Sequence, residues 1–190
     1  MPTGIRFIVA ALLASALAPH AVAQSGQQLE PRVAGYPVMT RTAEARRVAL
    51  LGQIDLYTIG LYTDAPISDI AQLATDDRAK ALRIEVRYDS HNLRMRPRIA
   101  LDWGRELVPS MSPAASATLR GSFAALRAGD VVIVAYAPRR GTTVRVNRSA
   151  VVSNSDHDLM LSFLDHWLGQ TALSEEVKAT LLDQISRTRR

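Results

Sequence analysis

Few side chains in this 190-residue sequence stand at spacings that do chemistry by themselves. There is no cysteine, which removes thiolate nucleophiles, disulfides and sulfur-ligated zinc or iron–sulfur sites. Beyond residue 23 the histidines are His91, His157 and His166. None falls in an H-E-x-x-H pattern, so zinc hydrolysis has no support. Neither a G-x-S-x-G elbow nor a phosphate-cradling G-x-x-x-x-G-K-S/T loop occurs. His157 and Asp158 stand at a predicted helix start and read as capping groups. His166, beside Trp167, reads as a surface or core-edge residue. Asp64 and Asp69 flank a short helix as turn and cap residues. Arg94, Arg96 and Arg98, with Arg87 nearby, form a basic run. Aromatic residues are only 5% of the chain and do not interleave with that run, so it reads as a solvated face. The sequence therefore predicts no metal, no cofactor and no nucleic-acid partner.

The elements that must position any site follow from hydropathy patterning. The length, with 47% hydrophobic and 22% charged residues, fits one domain that buries a core without staples. Residues 24–30 (QSGQQLE) are polar and read as the body of a mobile leader spanning 24–31. The domain proper is 32–187. From Arg47 to Thr63, β-branched and aromatic residues favour strands, with Gly52 or Gln53 near a turn. Alternation puts Leu56, Thr58, Gly60 and Tyr62 on one face and Tyr57, Ile59 and Leu61 on the other. Both faces look covered, which marks a central strand. Ile67 to Thr75 is a short helix with Ile70 and Leu73 inward. Ala81 to Tyr88 alternates Leu82, Ile84, Val86 and Tyr88 in, with Arg83, Glu85 and Arg87 out, as a half-exposed strand.

Leu93 to Leu107 reads as helical despite Pro97. Ser112-Pro113 opens a helix to about Leu126 that buries Leu119, Phe123 and Leu126. After a Gly129-Asp130 turn, three strands follow: Val131 to Tyr136, Thr142 to Val146, and Ala150 to Val152. Turns at Pro138–Gly141 and Asn147-Arg148 link them as hairpins. Ser155 is the expected cap of a helix whose apolar face is Leu159, Phe163 and Trp167. Gly169 is expected to end it in the left-handed region. Ser174 caps the last helix, with Glu175 and Glu176 at its positive end. The class is α+β, an antiparallel sheet with helices layered on one face.

Three blocks at these spacings resemble the chalcone isomerase-like family of exported bacterial proteins. The first is Leu56 through Tyr62 (LYTIGLY). The second is Gly129-Asp130-Val131-Val132-Ile133 with Pro138 to Val146. The third, and most specific, is Asp158 to Leu182, with Trp167-Leu168-Gly169, Leu173-Ser174, Lys178 and Leu181-Leu182. The resemblance covers residues 32–185. It implies an open-faced β-sandwich, a large antiparallel sheet packed on a helical layer with a cleft between (the chalcone isomerase fold). Plant relatives use that cleft to close a chalcone into a flavanone, an attack of a phenolate on an enone. Other relatives bind fatty acids without catalysis or act as helpers.

The same resemblance implies the site. Ring closure needs a cation for the phenolate and a donor for the developing enolate. The plant arginine corresponds to the tandem Arg46 and Arg47, of which a strand turns only one into the cleft. The strand threonine falls near Tyr57 or Thr58. The helical tyrosine and the asparagine seven residues later fall on Trp103 and Ser110, and the late serine or threonine near Ser149. Trp103 is a departure: indole offers one N–H and no acceptor, so it cannot order a water as a phenol does. The expected function is binding of a small, mostly apolar anionic ligand, a fatty acid or an aromatic acid or phenolate, without turnover. The alternatives are a chalcone–flavanone-type isomerase (an intramolecular lyase) and an interaction or assembly factor with no ligand.

Residues 1–23 read as a secretory signal peptide: Arg6, an apolar run from Phe7 to Ala18, and the small-x-small exit Ala21-Val22-Ala23. The run is too short to span a bilayer comfortably, and no lipobox cysteine exists. No later run reaches spanning length, so the mature chain is expected to be periplasmic or secreted. N-terminal sequencing of the exported protein should begin at Gln24; a retained Met1 would exclude this localisation.

Overall fold

The computed structural model describes residues 28–33, 35–89 and 101–187. Its strands are β1 (Arg32–Val33), β2 (Tyr36–Ala49), β3 (Ile54–Thr63), β4 (Lys80–Val86), β5 (Val131–Ala137), β6 (Gly141–Val146) and β7 (Ser149–Asn154). They form one seven-stranded sheet in chain order, and each neighbouring pair is antiparallel. The helices of the described residues are α1 (Ala71–Thr75), α2 (Trp103–Leu107), α3 (Pro113–Phe123), α4 (Asp158–Leu168) and α5 (Glu175–Arg187). This is the α+β antiparallel sheet with helices layered on one face that the patterning predicts, and the open-faced sandwich that the resemblance implies.

The main core lies between one sheet face and the helices. Tyr57, Ile59 and Leu61 of β3, Leu82, Ile84 and Val86 of β4, and Val132 and Val134 of β5 share it with Leu119, Phe123, Phe163, Trp167, Leu181 and Ile185. The period of two in the strands and the i, i+4 spacing of Phe163 and Trp167 produce this meeting of faces. As expected, Trp167 is fully buried and Ser174 caps α5, its Oγ accepting from the Val177 N–H at 3.4 Å.

The second face is more covered than alternation suggests. Val33, Met39, Tyr62, Ala81 and Ile133 form a smaller core there. The end of the polar stretch read as a leader is packed onto it. Leu29 is buried, its N–H donates to Glu44, and the Tyr62 hydroxyl donates to the Glu30 carbonyl at 2.7 Å. Arg83, expected outward, is buried and paired with Glu30 at 2.7 Å. Gly60 makes room for this cover: a Cβ there would sit 2.7 Å from Leu29 Cδ1 and 2.9 Å from the Tyr62 ring.

β2 begins eleven residues before the point where the sequence pattern suggests strands, at Tyr36 instead of Arg47. Its inward residues are Ala43 and Ala45, too small to give a hydropathy signal, and α5 packs closely over them. Gln184 of α5 completes the fit. Its amide accepts from the Glu44 N–H at 2.9 Å and donates to the Glu44 carbonyl at 2.7 Å, so the helix covers a strand edge.

Four local expectations are corrected. α2 starts at Trp103, with Asp102 accepting from the Arg105 N–H at 3.1 Å, so residues 101 and 102 are not helical; positions 90–100, with His91, Arg94, Arg96 and Arg98, lie outside the described residues. Ser155 does not cap α4, whose cap position is His157. His157 makes no side-chain cap bond. Instead its ring stacks on Tyr136 at 4.2 Å and meets Lys80 Nζ at 3.0 Å. Gly169 has φ −70°, not a left-handed value. Glycine is required there by space, because a Cβ would lie 1.9 Å from Asp165 Oδ1.

Lys80 closes the far end of the sheet. Its ammonium donates to the Leu73 and Asp76 carbonyls at the end of α1 and lies 5.5 Å from the centre of the Tyr136 ring. Tyr136 in turn donates to Asp77. Burial lowers Lys80 from 10.5 to about 8, against the pull of Asp76. Burial also lowers His157, with Lys80 adding to the effect. Between pH 8 and 10.5 the unfolded chain holds a proton on Lys80 that the folded chain has released, so stability rises with pH there. Tyr62, which burial pushes up to about 12, acts oppositely above pH 10, where the unfolded phenol ionises first. Denaturation midpoints should therefore climb from pH 8 to 10 and fall beyond it. Lys80→Met should flatten the climb; an unchanged slope in that variant would contradict the assignment.

Candidate functional site

The antiparallel register of β2 and β3 sets the site. Arg46 stands opposite Thr58, and Arg47 opposite Tyr57, with a register shift just after Arg47. Neighbouring residues of a strand point to opposite faces, so the two arginines separate. Arg47 and Tyr57 lie on the face that packs against the helices. Arg46 and Thr58 lie on the other. Arg46 is about half exposed and pairs with Asp55 at 2.6 Å. Thr58 is buried on that same side.

α2 brings a carboxylate to Arg47. Asp102 caps this short helix, while Trp103, Gly104 and Leu107 anchor it in the core. Glu106 follows Trp103 by three residues, which places both on one helix face. Arg47 Nε donates to Glu106 Oε1 at 3.2 Å, and an Arg47 NH donates to the Val48 carbonyl at 3.3 Å. The Arg47 side chain is 27% exposed and that of Glu106 12%, so the pair is partly shielded from water. His166 of α4 donates its Nε2–H to the Glu106 carbonyl at 2.9 Å, tying α2 to α4.

Tyr57 sits at the centre with no exposed surface. Trp167 Nε1–H donates to its hydroxyl oxygen at 3.2 Å. Its pKa is raised well above the ordinary phenol value, first by burial and then by the nearby Glu106 carboxylate; Trp167 and Arg47 pull the other way. The phenol thus stays protonated. The Trp103 ring lies 6.5 Å from that of Tyr57, tilted by 58°. Trp103 is 1% exposed, and its indole N–H has no acceptor among the described residues.

Of the residues expected to line the cleft, the structure therefore brings together Arg47, Tyr57 and Trp103. Arg46 and Thr58 are on the wrong face. Ser149 is exposed at the start of β7, four strands from Tyr57. Ser110 is exposed at the mouth of a cavity of about 390 Å³ that it shares with Pro109, Leu161, Asp165 and His166. A second, more apolar groove of about 610 Å³ runs between α1 and α4, past Leu73, Leu164 and Leu168 to Lys178, and holds none of the expected residues. Glu106, Trp167 and His166 are the site residues that the sequence pattern did not single out as such. The i, i+3 spacing of Trp103 and Glu106 after a capping Asp102 is the signal that could have found Glu106. Among the described residues no group of histidine and acidic side chains could hold a metal, and no helix is long and apolar enough to cross a membrane.

Over residues 47–183 the sequence matches the family model described as Chalcone isomerase-like. No curated protein matches the chain. Among solved structures, the chain is similar to the crystal structure of a fatty-acid binding protein from Arabidopsis thaliana. The TM-score is 0.50 and the identity 19%, covering 78% of this chain and 89% of that one. At that identity the likeness speaks for the fold.

Trp167 both fills the core and supplies the donor to Tyr57. Trp167→Ala should cost about 3–5 kcal/mol in chemical denaturation, since it opens a large cavity. Wild-type stability in that variant would mean that α4 is turned the other way.

Proposed function

This chain belongs to the chalcone isomerase-like family, and on that premise we propose that it binds a small, mostly apolar anionic ligand without turnover. The ligand class is a fatty acid or an aromatic acid or phenolate, with its charged head at Arg47, Tyr57 and Trp103. The observation that carries this reading is the placement of Arg47. A guanidinium held on the apolar, helix-facing side of a sheet is costly unless it serves a partner. Beside it stand a protonated phenol and a buried indole N–H without an acceptor among the described residues. An oxyanion can take donors from all three, in place of the Glu106 carboxylate that pairs with Arg47. The fatty-acid binding of the similar Arabidopsis protein agrees with this class. Turnover of a chalcone is less well served: Thr58 faces away, Ser110 and Ser149 lie elsewhere, and Trp103 cannot hold a water as a phenol would. We place the protein in the periplasm or outside the cell, on the signal-like residues 1–23.

The test is binding of dodecanoate by calorimetry. Arg47→Ala should weaken it by roughly 1.5–3 kcal/mol, the scale of a charge-assisted hydrogen bond. Because Arg47 is paired, its truncation also leaves Glu106 uncompensated and should cost about 1–3 kcal/mol of stability. Arg46→Ala removes an exposed pair and should change stability by less than about 1 kcal/mol and binding not at all. Equal binding in wild type and Arg47→Ala would leave the assembly-factor reading ahead.

A further inference from the structure

The cation that would receive a ligand anion is already engaged by a carboxylate of the chain itself. Arg47 Nε ends on Glu106 Oε1 at 3.2 Å, and the same carboxylate stands near enough to Tyr57 to raise the pKa of its hydroxyl. We propose that Glu106 is an internal competitor: its carboxylate occupies the head-group position, and an incoming anion binds by displacing it from Arg47. This rests on the binding reading above and adds its regulation.

Three observations support it. First, the charge balance allows one anion. Arg47 is the cation that pairs with Glu106, and at 27% and 12% exposure two carboxylates could not both be held there without a large desolvation and repulsion cost. Second, Glu106 can leave without unfolding its helix. α2 is held by Trp103 and Leu107 in the core, by the Asp102 cap and by His166 on the Glu106 carbonyl, none of which uses the carboxylate. Its side chain can therefore swing while its backbone stays. Third, a donor is left for the newcomer. The Trp103 N–H, buried and without an acceptor among the described residues, lies on the same helix face and is not satisfied by Glu106 in the closed arrangement. A ligand carboxylate, free of the helix backbone, can use Arg47, Tyr57 and Trp103 together. The resting protein would thus keep its arginine neutralised and admit anions selectively over neutral amphiphiles, because only an anion can replace what Glu106 gives up.

The experiment compares dodecanoate and dodecanol binding to the wild type, Glu106→Gln and Glu106→Asp, with thermal melts to verify folding. Glu106→Gln removes the competing charge at constant size and should tighten dodecanoate by about tenfold or more, the scale of a charge-assisted bond, with dodecanol unchanged. Glu106→Asp keeps the charge but withdraws it by one methylene, and should tighten dodecanoate less. If the wild type binds dodecanoate through Arg47 and neither variant tightens it, the competitor role is wrong while the binding site stands. If neither the wild type nor either variant binds dodecanoate, the binding reading fails and this inference with it.

Discussion

A phenol buried at the centre of a sheet has to find partners, and Tyr57 meets two helices at once. Its oxygen accepts from Trp167 on α4, and its ring lies 6.5 Å from that of Trp103 on α2, with the Glu106 carboxylate nearby. An unpaired buried hydroxyl would cost a few kcal/mol, comparable with a large share of a domain's net stability. The need to avoid that cost fixes how both helices lie on β3. Once α2 and α4 are placed, the Arg47–Glu106 pair and the His166 contact follow from register and helix spacing. The same residue therefore organises the core and the polar cluster of Arg47 and Glu106.

The two faces of the sheet are built by different means. The helical face is filled by large aliphatic and aromatic side chains. The opposite face is closed by a short chain segment, Leu29 to Val33, laid over Gly60, Tyr62 and Arg83. That closure lets Arg83 be buried with a carboxylate partner. Thr58, though buried, stands between its cross-strand partners Arg46 and Glu85 on this face, away from Arg47 and Tyr57.

Most strands and helices were legible because their hydropathy had a clear period. VVIVAY, ALRIEV and the Leu159–Phe163–Trp167 stripe have few alternatives as elements. β2 was not legible, because its inward positions are alanines whose burial depends on α5, an element 140 residues away in the chain. Tertiary packing, not local propensity, makes that stretch a strand. Gly169 was read correctly as the end of α4 for the wrong reason: the constraint is the Asp165 side chain, which no local pattern displays. In the site, the family resemblance brought out Arg47, Tyr57 and Trp103. Which arginine turned inward required the register, and Glu106 required knowing that α2 begins at Trp103 rather than many residues earlier.

The indole of Trp103 stands on α2 where the family resemblance implies a phenol, three residues before Glu106. Indole accepts nothing, and its single N–H is left over. The result is a cluster with one cation, one anion and two neutral donors, Tyr57 engaged and Trp103 not. Such a cluster is neutral at rest, with the phenol held in its protonated form. It suits holding a charge that arrives with a ligand, as the proposed binding requires. The exchange of one carboxylate for another is the event that the geometry around Arg47 makes possible.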